Sequence, residues 1–200
     1  MSRLADPDLA ARRRRQILEA AEACFRRKGF HQSTMQEICA EAQISPGAVY
    51  RYFDSKSDII AAIAERRHLD SDPAFDCALR QGGPIEALQC AFGGFLAKIE
   101  IEHLGPVFAD ILSEAARDPA LGKRLAQIGA RRTQDLTAAI ARAQAVGDID
   151  PDLDPHEAAA ALGAVIEGMG LRFATARAAA SDALMRQFRT LAERYLAPKR

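Results

Sequence analysis

The residues best suited to chemistry in this sequence are donors that could touch a polyanion, and they cluster in one short stretch. Tyr50, Arg51 and Tyr52 follow a Ser-Pro-Gly segment at 45–47, and Lys56 comes soon after. Phenol, guanidinium and ammonium groups donate hydrogen bonds to phosphate oxygens, and a guanidinium also reads a guanine edge. Two tyrosines and an arginine crowded on one short helix are unusual for a purely structural role. The stretch therefore favours contact with a DNA groove.

Groups that could carry catalysis or hold a metal are scattered along the chain. The four histidines are separated by 35 or more positions, and the four cysteines form no CxxC pair. The glycines between 163 and 170 lack the preceding strand and the lysine of a phosphate-binding loop. We therefore expect no enzyme activity, no metal site and no cofactor.

Two short helices are expected to hold the donor cluster in place. Thr34 is the expected N-cap of the first, with Glu37 three residues later as in a capping box. Ser45 is expected to cap the second with its side chain, and Pro46 suits the first helical position because its missing N–H has no partner there. About four residues, 42–45, lie between them, which is the length of a helix-turn-helix turn.

Residues 12 to about 68 resemble the DNA-binding domain of the TetR family of bacterial transcription regulators. Gln43 stands where the family usually has Gly, whose freedom at positive φ eases the turn, and Cys39 stands where a small Ala is usual. The matching pieces are Ile17-Leu18-Glu19-Ala20-Ala21 with Phe25, Lys28-Gly29-Phe30, Ser33-Thr34-Met35 with Ile38, Ser45-Pro46-Gly47-Ala48-Val49-Tyr50-Arg51-Tyr52-Phe53, and Ser55-Lys56 with Ile59.

The resemblance implies that the second of these short helices enters a DNA major groove. Tyr50 and Tyr52 would donate to phosphates, Arg51 would read a guanine, and Lys56 would bind a phosphate. Tyr52 could instead pack against the first helix of the chain, and the arginines at 12–15 could simply be a solvated helix end. The expected DNA-binding residues are Arg12, Arg13, Thr34, Pro46, Gly47, Ala48, Tyr50, Arg51, Tyr52 and Lys56.

Helical periodicity continues to the end of the chain and predicts an all-α protein of about nine helices. The prediction is an N-terminal helix-turn-helix DNA-binding domain at 1–68 and a C-terminal helical ligand-binding and dimerisation domain at 69–200. We expect a loose arm at 1–10, a helix starting at Arg12, a fourth helix running towards His68, and a break at 70–84. Twelve Lys and Arg stand against nine Asp and Glu up to His68, although the whole chain carries 27 of each. This mildly basic N-terminal domain, residues 1–68 and called the head below, suits contact with a small stretch of DNA.

The last two predicted helices are unusually apolar and contain three glycines between 163 and 170. Each glycine destabilises a helix interior by roughly 1 kcal/mol relative to alanine. We therefore expect these glycines to allow another helix to approach closely, which would offset the loss. The resemblance supplies the partner: the same two helices of a second subunit, forming a four-helix interface on a two-fold axis. The alternative is ordinary packing within one chain. The expected interface residues are Leu162, Gly163, Ile166, Gly170, Leu184, Phe188, Leu191 and Tyr195.

The resemblance also implies a ligand pocket enclosed by helices of the C-terminal domain. The alternative is that these apolar residues are simply core. The composition favours an apolar or aromatic ligand and does not choose among drug, fatty acyl, phenolic or steroid-like classes. The candidate lining residues are His68, Phe92, Phe95, His103, Phe108, Ile111, Leu112, Glu114, Met169, Arg172 and Phe173.

The expected function is therefore a cytoplasmic, ligand-responsive transcription regulator. It would be a homodimeric repressor that binds a palindromic operator in double-stranded DNA and is released by a small-molecule inducer. The alternatives are an activator, or a helical ligand-binding or interaction protein that acts through a partner protein. No membrane association is expected, because the longest apolar run, 158–166, is short and ends at Glu167.

Overall fold

Nine α-helices and no strand make up the part of the chain that the computed structural model describes, residues 7–101, 103–176 and 181–198. Within it, the side chains of residues 7, 68–72 and 176 are not described. This architecture confirms the all-α prediction. The helices are α1 (Pro7–Lys28), α2 (Met35–Ala42), α3 (Pro46–Val49), α4 (Lys56–Gln81), α5 (Pro84–Ile101), α6 (Gly105–Arg117), α7 (Pro119–Ala145), α8 (Pro155–Ala176) and α9 (Ser181–Leu196).

Helix α1 begins at Pro7 and not at Arg12, so residues 7–10 of the expected loose arm are helical. Proline is suited to the first helical position, and Asp8 places a negative charge in the first turn, where the helix dipole favours it. At the other end Gly29 adopts φ +82° and donates its N–H to the Phe25 carbonyl, which closes the helix. The remainder of the arm, residues 1–6, lies outside the described residues.

The first helix of the helix-turn-helix is capped as its sequence predicts. Thr34 Oγ1 accepts the Glu37 N–H at 3.2 Å, and Glu37 Oε2 accepts the Thr34 N–H at 3.0 Å. Gln43 follows α2 in the left-handed region, with φ 54° and ψ 40°. A non-glycine residue thus makes the turn at the position where the TetR family usually has Gly.

Ser45 caps α3 through its backbone, and the prediction of a side-chain cap is wrong. The Ser45 carbonyl accepts the N–H groups of Ala48 and Val49 at 2.9 and 3.0 Å. Pro46 occupies the first helical position as expected. At the start of α4, Ser55 Oγ accepts the Asp58 N–H at 3.1 Å, which identifies Ser55 as the cap.

Helix α4 continues past His68 and through Pro73 to Gln81, so the predicted break at 70–84 is wrong except for its last residues. Pro73 removes a single backbone N–H from the helix ladder. The turns beyond it are anchored by Phe75, which is 1% exposed and has the Arg132 guanidinium 4.9 Å from its ring centre. The chain breaks at Gly83, which adopts φ +86°.

The chain forms two compact units, and each is built from two separate stretches of sequence, unlike the predicted domains at 1–68 and 69–200. The first unit comprises residues 1–66 and 106–125, so α6 and the start of α7 pack with the helix-turn-helix. The second comprises residues 67–105 and 126–200. Helices α4 and α7 each contribute residues to both units. A boundary at 68 remains a prediction about folding domains.

Each unit has its own apolar core. In the first unit Ile17, Phe25, Ile38, Val49 and Ile59 are fully buried. In the second, α5 packs against α8 and α9, and the rings of Phe92 and Phe188 lie 5.1 Å apart at its centre.

Helix α8 is more apolar than the sequence run at 158–166 suggested. Residues Pro155–Thr175 are long and apolar enough to cross a membrane by length and composition, with mean hydropathy 1.2, although the segment contains the charged residues Glu157, Glu167 and Arg172. The expectation that nothing approaches a membrane span is therefore wrong on these criteria. Only 22% of this segment is buried, although α8 packs against α5 and α9.

Candidate DNA-binding site

The surface of α3 and the turn after it presents the donors that the sequence brings together. Tyr50 is 49% exposed and Arg51 is exposed, while Tyr52 is half-buried. Val49 and Phe53 are 0% and 3% exposed, as their four-residue spacing predicts, and they fix this segment to the core. The arrangement leaves the Tyr50 phenol and the Arg51 guanidinium exposed on a firmly anchored turn, with Tyr52 half-buried beside them.

Lys56, at the first position of α4, is held on the turn between α1 and α2. Its Nζ donates to the Phe30 carbonyl at 2.7 Å and to the His31 carbonyl at 3.3 Å, and it lies 4.5 Å from the Phe30 ring centre. Partial burial lowers the pKa of Lys56. The nearby carboxylates of Glu114, Asp110 and Glu37 act in the opposite direction. The ammonium group is therefore oriented before any ligand arrives.

The N-terminus of α2 is a second possible anion site close to this turn. Thr34 is exposed there, and Lys28 forms an ion pair with Glu37. The hydrogen bond from Lys28, followed by that from the Thr34 backbone N–H, lowers the pKa of Glu37. The free N–H groups of a helix start attract phosphate.

The arginines of α1 divide between solvent and packing. Arg12 and Arg13 are exposed, and Arg13 Nη1 donates to Gln16 at 2.9 Å. Arg14 lies over the Phe53 ring, 4.7 Å from its centre, and within 3.8 Å of Glu65. Both arginines that are expected to contact DNA, Arg12 and Arg13, are therefore accessible on the surface of α1.

Sequence reasoning missed the acidic residues of α6 that hold the turn after α1. Asp110 Oδ2 accepts the Phe30 N–H at 2.7 Å, and Glu114 Oε1 lies 2.9 Å from His31 Nε2. Arg117 Nη1 is 3.4 Å from the same His31 nitrogen. These partners are about 80 positions apart in sequence, so no local pattern could have indicated them.

The start of α7 makes a similar connection to α4. Arg124 donates to Asp58 Oδ1 and to Glu65 Oε1, each at 3.1 Å. On the other side of α4, Arg66 donates to Glu22 of α1 at 2.7 Å. Charged pairs thus connect α4 both to α1 and to the start of α7.

The expected interface residues of α8 and α9 divide into buried and accessible sets. Leu162 and Phe188 are 1% and 0% exposed, and Gly170 is buried against Phe95, so these three residues pack in the core of the chain itself. The prediction that Leu162, Gly170 and Phe188 contact a second copy is therefore corrected, because their side chains or added atoms face the interior of the chain. Gly163, Ile166 and Leu184 are half-buried, while Leu191 and Tyr195 are 42% and 39% exposed.

Exposed positions that the sequence did not single out complete the surface of these helices. On α8 they are small residues, and on α9 an open groove of about 770 Å³ lies beside Leu191. The exposed small residues of α8 are Ala160, Ala161, Ala164 and Gly168. The groove is lined by Ala183, Arg186, Gln187, Thr190, Leu191, Arg194 and Tyr195.

The candidate ligand-binding residues fall into both compact units. Phe108, Ile111, Leu112 and Glu114 belong to the first, and Glu114 is engaged with His31. The second contains Phe92, Phe95, His103, Met169, Arg172 and Phe173. Phe92 is fully buried in the core, whereas His103 and Arg172 are exposed, and the side chain of His68 lies outside the described residues.

Within the part of the chain that the structure describes, no group of three or more His, Cys, Asp or Glu side chains is placed to hold a metal ion.

The sequence of this chain is similar to those of known transcription regulators. Residues 17–63 match the profile described as bacterial regulatory proteins of the tetR family, and residues 98–197 match that of the C-terminal region of BetI-type transcriptional repressors. Escherichia coli UidR, a helix-turn-helix transcriptional regulator, is 29% identical over 145 residues, covering 70% of this chain and 71% of UidR.

Solved structures share the whole fold. Salmonella enterica GusR is 27% identical with a TM-score of 0.77, covering 98% of this chain and 99% of that one. Bacillus subtilis FadR, solved in complex with stearoyl-CoA, is 19% identical with a TM-score of 0.77, covering 90% and 98%, and so shares the fold alone. The two profiles lie in sequence order and together span most of the described residues. The chain belongs to the TetR family of bacterial transcription regulators.

Proposed function

We propose that this protein is a homodimeric, ligand-responsive repressor that acts in the cytoplasm on a palindromic operator. The observation that supports it most directly is the α3 surface, where Tyr50 and Arg51 are exposed on a turn anchored by buried Val49 and Phe53. Donors on a rigid element can enter a major groove without first paying the entropy of ordering a loop.

In the bound state Arg51 reads a base while the surrounding donors fix the register. Tyr50, Tyr52, Thr34 and Lys56 contact phosphates, and Pro46, Gly47 and Ala48 allow the backbone to approach base edges and thymine methyl groups. Arg12 and Arg13 add contacts from α1. Each neutralised phosphate releases a counterion, so affinity falls as salt rises.

The apolar surface of α8 supports the homodimer. An apolar helix with 22% of its length buried, and with small residues along its exposed side, requires cover from another surface. A second copy supplies that cover through a two-fold contact of α8 and α9, with Leu191 and Tyr195 accessible on α9. Two heads related by a two-fold axis read two halves of a palindrome.

The effector is a small, largely apolar molecule that binds the C-terminal domain. Similar proteins have been solved with different ligands, stearoyl-CoA in one and choline in another, so the fold accommodates several chemistries. Effector binding would favour a spacing of the two heads that no longer fits successive major grooves. A differential affinity of about 1–3 kcal/mol between the two states is sufficient for such coupling.

Selection from a pool of random duplexes tests the DNA-binding function. We expect enrichment of a palindrome whose half-sites are about one helical turn apart, bound with sub-micromolar, salt-dependent affinity. Gel shifts on the promoter beside the protein's own gene provide the cheaper version. Failure to bind any duplex at low salt would exclude a DNA-binding regulator and favour the alternative that acts through a partner protein.

A further inference from the structure

The turn between α1 and α2, residues 29–34, contacts two other elements. The carbonyl groups of Phe30 and His31 accept hydrogen bonds from Lys56, and the Phe30 N–H and the His31 ring contact α6. We propose that Asp110 and Glu114 of α6 are positioning residues for DNA binding, because they hold the turn whose carbonyl groups orient Lys56 towards a phosphate. This inference depends on the proposed function, in which Lys56 is a phosphate contact.

The first step concerns the ammonium group of Lys56. An ammonium has three donors, and the carbonyls of Phe30 and His31 accept from it at 2.7 and 3.3 Å. The Phe30 ring, 4.5 Å away, limits its position further. One donor then remains for a phosphate oxygen, in a direction fixed by the other two. The turn therefore converts a flexible side chain into a preorganised anion contact.

The second step concerns the opposite side of the turn. The Phe30 N–H donates to Asp110 Oδ2 at 2.7 Å, so the two backbone polar groups of Phe30 connect α6 to Lys56. Glu114 Oε1 lies 2.9 Å from His31 Nε2 and forms an ion pair with this next residue of the turn when the imidazole is protonated. Phe30 is 4% exposed, so its N–H would lack a partner if the carboxylate were removed. The turn would then rearrange, and its carbonyls would move away from Lys56.

The direction in which DNA affinity changes when Asp110 is removed distinguishes a positioning role from a purely electrostatic one. Asp110 carries a negative charge near a surface proposed to bind DNA, so its removal should strengthen DNA binding if only charge mattered. The positioning role predicts the reverse: weaker binding after Asp110→Ala. The control is Asp135→Ala, which removes one negative charge from α7 in the other unit, where Asp135 lies 3.9 Å from Arg131.

The test is a double-mutant cycle on the operator duplex obtained by selection. We expect Asp110→Ala to weaken binding about tenfold and to lower the salt slope by about one, as the loss of one phosphate contact does. Lys56→Ala alone should do the same. The double variant should bind like Lys56→Ala, whereas multiplied losses would overturn the proposal, as would an Asp110→Ala protein that binds like wild type.

A second variant keeps the test decisive if Asp110→Ala fails to fold, which circular dichroism would detect. Glu114→Gln retains the size of the side chain and leaves the Phe30 hydrogen bond in place, and it should show a smaller loss that also disappears in the Lys56→Ala background. An additive loss for Glu114→Gln would refute the inference. Wild-type protein that binds no duplex would instead refute the proposed function, so the two failures are distinguishable.

Discussion

Gly170 of α8 lies so close to Phe95 of α5 that a Cβ atom built on the glycine would stand 1.9 Å from a ring carbon. Real Cβ atoms do not approach other atoms this closely, so the half-buried Phe95 ring, which packs against the core, would have to move. The glycines at 163 and 168 are different, because a Cβ on either meets nothing within 4 Å in the subunit.

Replacing Gly170 by Ala should therefore destabilise the subunit. We expect a loss of about 1–3 kcal/mol in the free energy of unfolding, measured by urea denaturation, because overpacking outweighs the gain in helix propensity. Gly94→Ala is the matched control on α5, where an added Cβ has open space, and it should be neutral or stabilising by up to about 1 kcal/mol. A Gly170→Ala protein as stable as wild type would show that Phe95 has room to move.

The dimer proposal predicts that a charge on the exposed side of α8 separates the subunits. Ala164→Glu should shift the sedimentation coefficient from that of a dimer to that of a monomer while helix content stays unchanged, because an unpaired carboxylate would be buried between the copies. Ala130→Glu, on the exposed side of α7, is the control and should remain a dimer. Identical sedimentation of the two variants would exclude α8 from the interface.

Arg51 and Tyr50 should differ in what they contribute to DNA binding. Arg51→Ala should relax preference at one base position of each half-site, at a cost of about 1–3 kcal/mol on the operator and less on random duplexes. Tyr50→Ala should weaken binding to both by a similar factor, because a phosphate contact carries no sequence information. Competition binding with operator and random duplexes checks both variants. Equal losses on the two duplexes for Arg51→Ala would refute base reading.

The capping box of α2 should make stability depend on acidic pH. The folded state lowers the pKa of Glu37, so its contribution is present above the ordinary glutamate pKa of about 4.3 and is lost as pH falls through the lower folded value. Glu37→Gln should be less stable than wild type at neutral pH. The difference should shrink below about pH 4.

Thermal unfolding of wild type and Glu37→Gln across this pH range provides the measurement. Glu100→Gln, which removes one exposed carboxylate from α5, is measured beside it as the control for the change of charge. A constant difference for Glu37→Gln would argue that the side chain acts without its charge.

The local structure of the N-terminal domain could be predicted from its amino-acid sequence. Thr34 and Glu37 predict the cap of α2, and Pro46 predicts the start of α3, because each depends on backbone groups within a few residues. The spacing of Val49 and Phe53 likewise predicts which side of the recognition segment is buried. These features also carry the resemblance to the TetR family, which is why fold and family could be predicted together.

Contacts between residues that are distant in sequence could not be predicted in this way, because they depend on how the helices pack. The bond from Phe30 to Asp110 joins residues 80 positions apart, and no periodicity connects them. Pro73 predicts a break, yet burial of Phe75 keeps the helix going. Three glycines of α8 look alike in sequence, but only Gly170 faces a ring, because which side of a helix meets its neighbour depends on how the helices cross.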